Sequence, residues 1–200
     1  MTDLLPWVLA AYLIGAIPTS YLVVRIVKGQ DLRTLGSGNL GATNLYRVLG
    51  WRYAVPVGLF DMLKGAVPVL AFTPRVGGGD QEAILFGAAA VIGHVFPVFL
   101  RFRGGKGVAT GAGVVLALAP LAFLVALVTW VFVVKASGYV SLASLLAALV
   151  LPPAVYLLHH ERRQLVPLFL GLTALVIVMH LKNIRRLVSG TEHRFGQRPA

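Results

Sequence analysis

Long apolar runs alternate along this chain with short segments that hold most of its charge. The first run, residues 4–24, contains no charged side chain and as a helix covers about 30 Å, the thickness of a bilayer's hydrocarbon layer. Pro18 lies near its end and predicts a kink there. The run reads as a retained span rather than a cleaved signal peptide, because Asp3 precedes it while Arg25 and Lys28 follow it. A second run covers 53–72, with Asp61 and Lys64 inside it, and a third covers 83–100; Pro74 and Gly77-Gly78-Gly79 predict the turn between them. Uncharged residues then extend from 107 to 134 and, after Lys135, from 136 to 158. A last, short run at 165–179 is lengthened by His180 and Leu181.

The run at 107–134 decides the topology. Its 28 residues would make a helix of about 42 Å, too long for one crossing without heavy tilt, and Pro120 stands in its middle. One crossing gives six spans and leaves Lys182, Arg185, Arg186, Arg194 and Arg198 outside. A turn at Pro120 gives seven spans, with a short pair of helices between Gly107 and Val134, and puts those residues in the cytoplasm. In the seven-span arrangement fourteen of the 18 Lys and Arg residues lie inside, against Arg75, Arg162 and Arg163 outside. With six spans the division is ten to seven. The positive-inside rule therefore predicts an all-α, polytopic bundle of seven transmembrane helices, with the N-terminus outside and the C-terminus cytoplasmic. No internal repeat or flexible linker is visible, so residues 1–200 read as a single membrane-embedded domain.

Composition agrees. Hydrophobic residues make up 58% of the chain and charged ones 12%, where a soluble domain carries about a quarter. Mean hydropathy is +0.82. With no cysteine, disulfides, thiolate metal sites and a cysteine nucleophile are excluded. A net charge of +11 admits nucleic acid, anionic lipid or a phosphorylated substrate as partner. The placement of the charges decides among them, and it favours membrane lipids and phosphorylated small molecules, not nucleic acid.

Three segments on the predicted cytoplasmic face carry candidate chemistry. The first is Gly36-Ser37-Gly38-Asn39-Leu40-Gly41-Ala42-Thr43-Asn44, followed by Arg47. Glycines among small polar residues leave backbone N–H groups unshielded, as a nest for an anion requires. Ser37, Asn39, Thr43 and Asn44 add side-chain donors, and Arg47 falls about one turn into a helix capped by Thr43 or Asn44. The spacing of Gly36, Gly38 and Gly41 matches a dinucleotide-binding fingerprint, with Asp61 twenty residues beyond, but a membrane span rather than a strand precedes it. The plain alternative is a glycine-rich turn between helices.

The second segment, Arg101 to Gly107, places Gly104, Gly105 and Gly107 around Lys106 at the start of an apolar helix. Point charge, open N–H groups and the positive end of a helix dipole together suit a phosphate. It is not a Walker A loop, since Leu100 stands in the place of the first glycine and no Ser or Thr directly follows the lysine. Basic residues beside a span also arise from topology alone, which accounts for Arg101 and Arg103 but poorly for the glycines. In the third segment, His180 to Arg186, a helix would set His180 and Asn183 on one face, while Arg185 and Arg186 serve as headgroup anchors.

Asp61 and Lys64 are three residues apart and predict a buried pair with a structural or site-positioning role. His94 reads as a hydrogen-bonded packing residue. His159, His160, Glu161, Arg162 and Arg163 read as a solvated outer loop. A Ser–His–Asp set is absent, because Asp61 is the only acidic residue in a span, and no group has metal-ligand spacing. Anion-binding groups with little nucleophilic equipment suit two phosphorylated substrates, one already activated.

The blocks at 36–47, 61–65, 93–110 and 180–195, in this order over nearly the whole chain, resemble the bacterial acyl-phosphate:glycerol-3-phosphate acyltransferase family. The resemblance implies a seven-helix enzyme of the bacterial inner membrane with its active site on the cytoplasmic face. Such an enzyme moves a fatty acyl group from acyl phosphate to glycerol 3-phosphate and needs no cofactor. It also implies that Ser37, Arg47 and Lys106 bind phosphate, that the backbone from Gly38 through Asn39, Gly41, Ala42 and Thr43 completes the cradle, and that His180 and Asn183 contact the substrate beside them. An anion transporter with broken helices fits the composition too, but it predicts matching halves and polar groups along a path through the membrane, and neither is visible.

The topology has a direct test. A reporter that works only in the periplasm, fused after Arg198, is expected to be inactive; activity there would reverse the orientation of the tail.

Overall fold

In the computed structural model of the chain, which describes residues 3–196, the first apolar run forms two helices, α1 (Leu5–Ala16) and α2 (Thr19–Lys28). The break falls at Ile17 and Pro18, where the proline ring excludes the helical hydrogen bond. α3 (Ala42–Leu49), α4 (Trp51–Val67), α5 (Asp80–Val95) and α6 (Val108–Leu118) follow. These helices fall in a compact unit that ends at Leu118. A second unit begins at Ala119 and holds α7 (Pro120–Ser137), α8 (Val140–Leu158), α9 (Val166–Met179) and α10 (Leu181–Val188). No strand occurs among the described residues, as the all-α reading expects. Arg198, counted above with the tail, lies outside the described residues.

The 28-residue run does break at Pro120, with Ala119 at φ −145° and ψ 71°. The two pieces are unequal. α6 has 11 residues, about 16 Å, whereas α7 has 18 because Lys135 joins its last turn instead of ending it. A lysine there complements the negative end of the helix dipole, and Gly138 at φ 76° closes the helix. Among the described residues, six helical segments are long and apolar enough to cross a membrane: Leu5–Lys28, Trp51–Arg75, Asp80–Leu100, Pro120–Ser137, Val140–Leu158 and His160–Met179. α6 is the shorter apolar helix beside them.

Small residues set the spacing in the first unit. α1 crosses α5 where Gly15 lies on the Ala90 carbonyl and Gly93 on the Tyr12 carbonyl. α4 meets α6 in the same way, through Gly65 against Thr110 and Gly113 against Met62. Each glycine touches backbone, so the helices approach more closely than any side chain would permit, as suits association in lipid. In the second unit α7 and α8 form a hairpin, and Thr173 on α9 donates to the Ala148 carbonyl of α8 at 2.7 Å. Large apolar side chains such as Phe132, 70% exposed, face outward, the reverse of a soluble protein.

Gly93→Val is expected to lower the thermal midpoint in detergent, since overpacking against backbone costs about 1–3 kcal/mol or more. Gly171→Ala, whose new methyl meets open space, is expected to leave the midpoint unchanged or slightly raised.

Candidate functional site

The first glycine segment is built around one side chain. Asn44 is fully buried; its Oδ1 accepts the Ser37 N–H at 2.8 Å and its Nδ2 donates to the Leu35 carbonyl at 3.0 Å. The chain wraps this carboxamide through Gly36 (φ 56°) and Gly38 (φ 71°), and a Cβ on Gly36 would collide with Asn44 Oδ1. Asn44, expected among the anion donors, thus shapes the loop that carries Ser37. α3 begins at Ala42 with Gly41 as its N-cap, not at a position capped by Thr43 or Asn44. The Gly41 carbonyl accepts the N–H groups of Asn44 and Leu45, and half-buried Arg47 sits in the last turn of this short helix. Ser37 and Asn39 are half-buried as well.

The second segment turns back over the end of α5. Gly104 N–H donates to the Val95 carbonyl at 3.0 Å and Gly105 N–H to the His94 carbonyl at 3.1 Å. The reversal needs Arg101 (φ 53°) and Phe102 (φ 61°) in the left-handed region, a strained conformation for residues with side chains. Gly107 (φ 76°) then leads into α6, which leaves half-buried Lys106 two residues before the first residue of the helix. The two glycine segments meet. A Cβ on Gly105 would press on the Leu40 carbonyl, and Leu40 and Leu100 share one buried cluster with Val24, Leu45 and Val57.

Beneath this junction lies a small, narrow cleft bounded by Thr19, Leu40, Asp61, Lys64, His94 and Gly105. Asp61 and Lys64 pair at 2.7 Å, each side chain 2% exposed. Lys64 Nζ also donates to the Ile17 carbonyl at 2.7 Å, the group released by the break between α1 and α2, and lies 3.5 Å from His94 Nδ1. Thr19 Oγ1 donates to Asp61 Oδ1 at 3.2 Å. Thr19 carried no signal in the sequence, since only the break places its hydroxyl beside the pair.

His180 and Asn183 lie in the second unit, and both are buried. His180 occupies the kink between α9 and α10, with Nδ1 2.7 Å from the Val176 carbonyl. A carbonyl only accepts, so Nδ1 carries a proton. Asn183 Nδ2 donates to Glu192 Oε1 at 2.7 Å, which also accepts from Ser141 Oγ at 2.9 Å, while Arg186 Nε donates to Glu192 Oε2 at 2.6 Å. The tail is pinned further by the Phe195 N–H on the Gly138 carbonyl at 2.7 Å and by Arg194 on Tyr139. Burial alone would raise the Glu192 carboxyl, but the hydrogen bonds from Arg186, Asn183 and Ser141 outweigh it and hold the group below its ordinary value. Glu192 had no assigned role in the sequence reading; an acidic residue among the basic ones of the tail was its available signal. In the loop after α8 Arg163 approaches His160 Nδ1 at 3.2 Å and stacks on Tyr156.

The arrangement holds groups of the kind that suit an anion, Lys106 and open backbone N–H groups among them. No set of three or more His, Cys, Asp or Glu side chains able to hold a metal occurs among the described residues. Comparison with known proteins places it further. The chain matches the sequence model of the family described as Glycerol-3-phosphate acyltransferase over residues 5–190. It is 46% identical over 195 residues to the Glycerol-3-phosphate acyltransferase of Syntrophotalea carbinolica, covering 98% of this chain and 99% of the relative. It is 46% identical over 189 residues to the protein of that name from Geobacter sulfurreducens, covering 92% and 94%. The fold is similar to the crystal structure of PlsY (YgiH), an integral membrane glycerol 3-phosphate acyltransferase, in its glycerol 3-phosphate form, with a TM-score of 0.90, 40% identity and 96% of each chain covered. The lysophosphatidic acid form of PlsY gives a TM-score of 0.86 at 37% identity, covering 96% of this chain and 95% of that one.

The Glu192 clamp makes stability depend on acid in a defined direction. With the native value depressed, its contribution is complete above the unfolded carboxylate value near 4.5 and is lost as pH falls through the lower native value. Glu192→Gln is expected to cost about 1.5–3 kcal/mol at neutral pH, the worth of hydrogen bonds to a charged group, and to flatten the fall in thermal midpoint below pH 4.5. Midpoints across an acid pH series check both.

Proposed function

Because this chain belongs to the glycerol-3-phosphate acyltransferase family, we propose that it transfers a fatty acyl group from acyl phosphate to the primary hydroxyl of glycerol 3-phosphate. The products are lysophosphatidic acid (1-acyl-glycerol 3-phosphate) and inorganic phosphate, and the reaction is the first acylation step of phospholipid biosynthesis. The observation that carries this reading is the meeting of two glycine segments, with Ser37 on one and Lys106 on the other, in a chain without cysteine. Such a junction suits phosphorylated substrates and offers no thiol to carry the acyl group.

The chemistry needs little else. Acyl phosphate is a mixed anhydride whose phosphate already leaves well, and cationic donors such as Lys106 and Arg47 stabilise the charge that develops on it. Ser37 and the backbone from Gly38 to Thr43 complete the phosphate contacts, with Gly104, Gly105 and Gly107 keeping the approach to Lys106 open. His180 and Asn183 contact the substrate. Holding the hydroxyl against the carbonyl supplies proximity, and the acyl tail enters sideways from lipid. The hydroxyl proton goes to a substrate phosphate or to His180. The enzyme sits in the bacterial inner membrane with seven crossings, α6 being the short one, the N-terminus outside and both the C-terminus and the site on the cytoplasmic face.

Phosphate release by purified protein from acyl phosphate and glycerol 3-phosphate tests the reading. Lys106→Ala is expected to lower turnover about 10²- to 10³-fold, as loss of one charge-stabilising donor does. Full turnover by His180→Gln would leave a substrate phosphate as the proton acceptor. Turnover with an acyl thioester and none with acyl phosphate would overturn the donor, and no acylation of glycerol 3-phosphate from either would overturn the function.

A further inference from the structure

We propose that His94 is a positioning residue for the Gly104–Lys106 segment, held in one tautomer by Lys64, so that the buried ion pair of α4 acts on the proposed phosphate site through this ring. The role in catalysis rests on the function proposed above; the geometry does not.

Lys64 has three ammonium hydrogens and three acceptors around it: Asp61 Oδ1 at 2.7 Å, the Ile17 carbonyl at 2.7 Å and His94 Nδ1 at 3.5 Å. An ammonium facing a ring nitrogen requires a lone pair there, since an N–H would set two donors against each other. His94 is thereby fixed as the Nε2–H tautomer. Its Nε2–Cδ2 edge lies against Gly105, where a Cβ would collide with it, and its own carbonyl accepts the Gly105 N–H at 3.1 Å. Residue 94 thus grips the residue before Lys106 twice, by ring and by backbone. Gly105 is also the point where the Leu40 carbonyl of the other glycine segment arrives. Rotation or protonation of the ring would push on both segments at once.

The buried pair explains why a lysine stands here. Asp61 cancels its charge, and Thr19 donates to Asp61 as its second partner. What remains is a donor aimed at one ring nitrogen, whose effect travels through packing to Lys106 and not through direct contact with substrate.

Nitrogen-15 spectra of ring-labelled protein in bilayers, with the His94 signal assigned by its loss in His94→Asn, read the tautomer. Expected are a protonated Nε2 and an unprotonated Nδ1, with the preference lost in the charge-neutral double variant Asp61→Asn, Lys64→Met, which removes both partners of the pair together. A protonated Nδ1 in the wild type would overturn the proposal. In the phosphate-release assay His94→Ala and His94→Asn are expected to lower kcat/KM about 10- to 100-fold, as misplacement of a binding group by an ångström does, in protein whose cooperative thermal transition shows that it is still folded. In a Lys106→Gln background the same changes are expected to add less than about twofold, because both act through one group. Losses that multiply in full, or folded variants with wild-type kcat/KM, would overturn the positioning role. If the wild type releases no phosphate, the proposed function fails and the ring spectrum still decides the inference: Nε2–H supports it and Nδ1–H sinks it.

Discussion

Lipid supplies no hydrogen-bond partner, so a broken helix or a charged side chain inside a span has to be satisfied by the protein itself, and the first unit is arranged around one such settlement. The break at Ile17 and Pro18 leaves the Ile17 carbonyl outside the helical ladder; the Thr19 N–H and Lys64 both donate to it, Asp61 neutralises Lys64, and the Thr19 hydroxyl donates to Asp61. Each group would be costly alone. Together they form a closed set that ties α1, α2 and α4 at one level and reaches α5 through His94. A proline that would weaken an ordinary helix here creates the acceptor that makes a buried lysine tolerable.

The glycine segments rest on this platform and are shaped by two different devices. One is wrapped around the buried carboxamide of Asn44, whose donor and acceptor replace missing backbone pairing. The other is folded back on the last carbonyls of α5 and accepts strain at Arg101 and Phe102 to do so. In both, glycine is required by a left-handed backbone angle or by contact closer than any Cβ allows. Ser37 and Lys106 are thus borne on segments whose paths are tightly determined, as a preorganised anion site demands.

In the second unit an acidic residue plays the organising part. Glu192 collects Ser141, Asn183 and Arg186 and so fixes the tail against the start of α8, while the kink at His180 turns one ring nitrogen to the Val176 carbonyl. The sequence reading placed weight on the histidine and the asparagine and none on the glutamate. Charge patterning alone marks a carboxylate among basic residues as a surface pair, and only folding the tail back makes it the common acceptor of three donors.

Helix class, the location of the spans, the breaks at Pro18 and Pro120 and the pairing of Asp61 with Lys64 were all written in the chain. They depend on local facts: run length against bilayer thickness, the missing N–H of proline, and the three-residue spacing that sets two side chains on one helix face. What only the tertiary structure decided was which polar group faces which: that Asn44 turns inward to build a loop, that Lys64 finds a carbonyl 47 residues away, that Gly105 meets both Leu40 and His94, and that Glu192 anchors Asn183. Such pairings join segments distant in sequence through helix crossings set by small residues, and no periodicity along one segment records its partner.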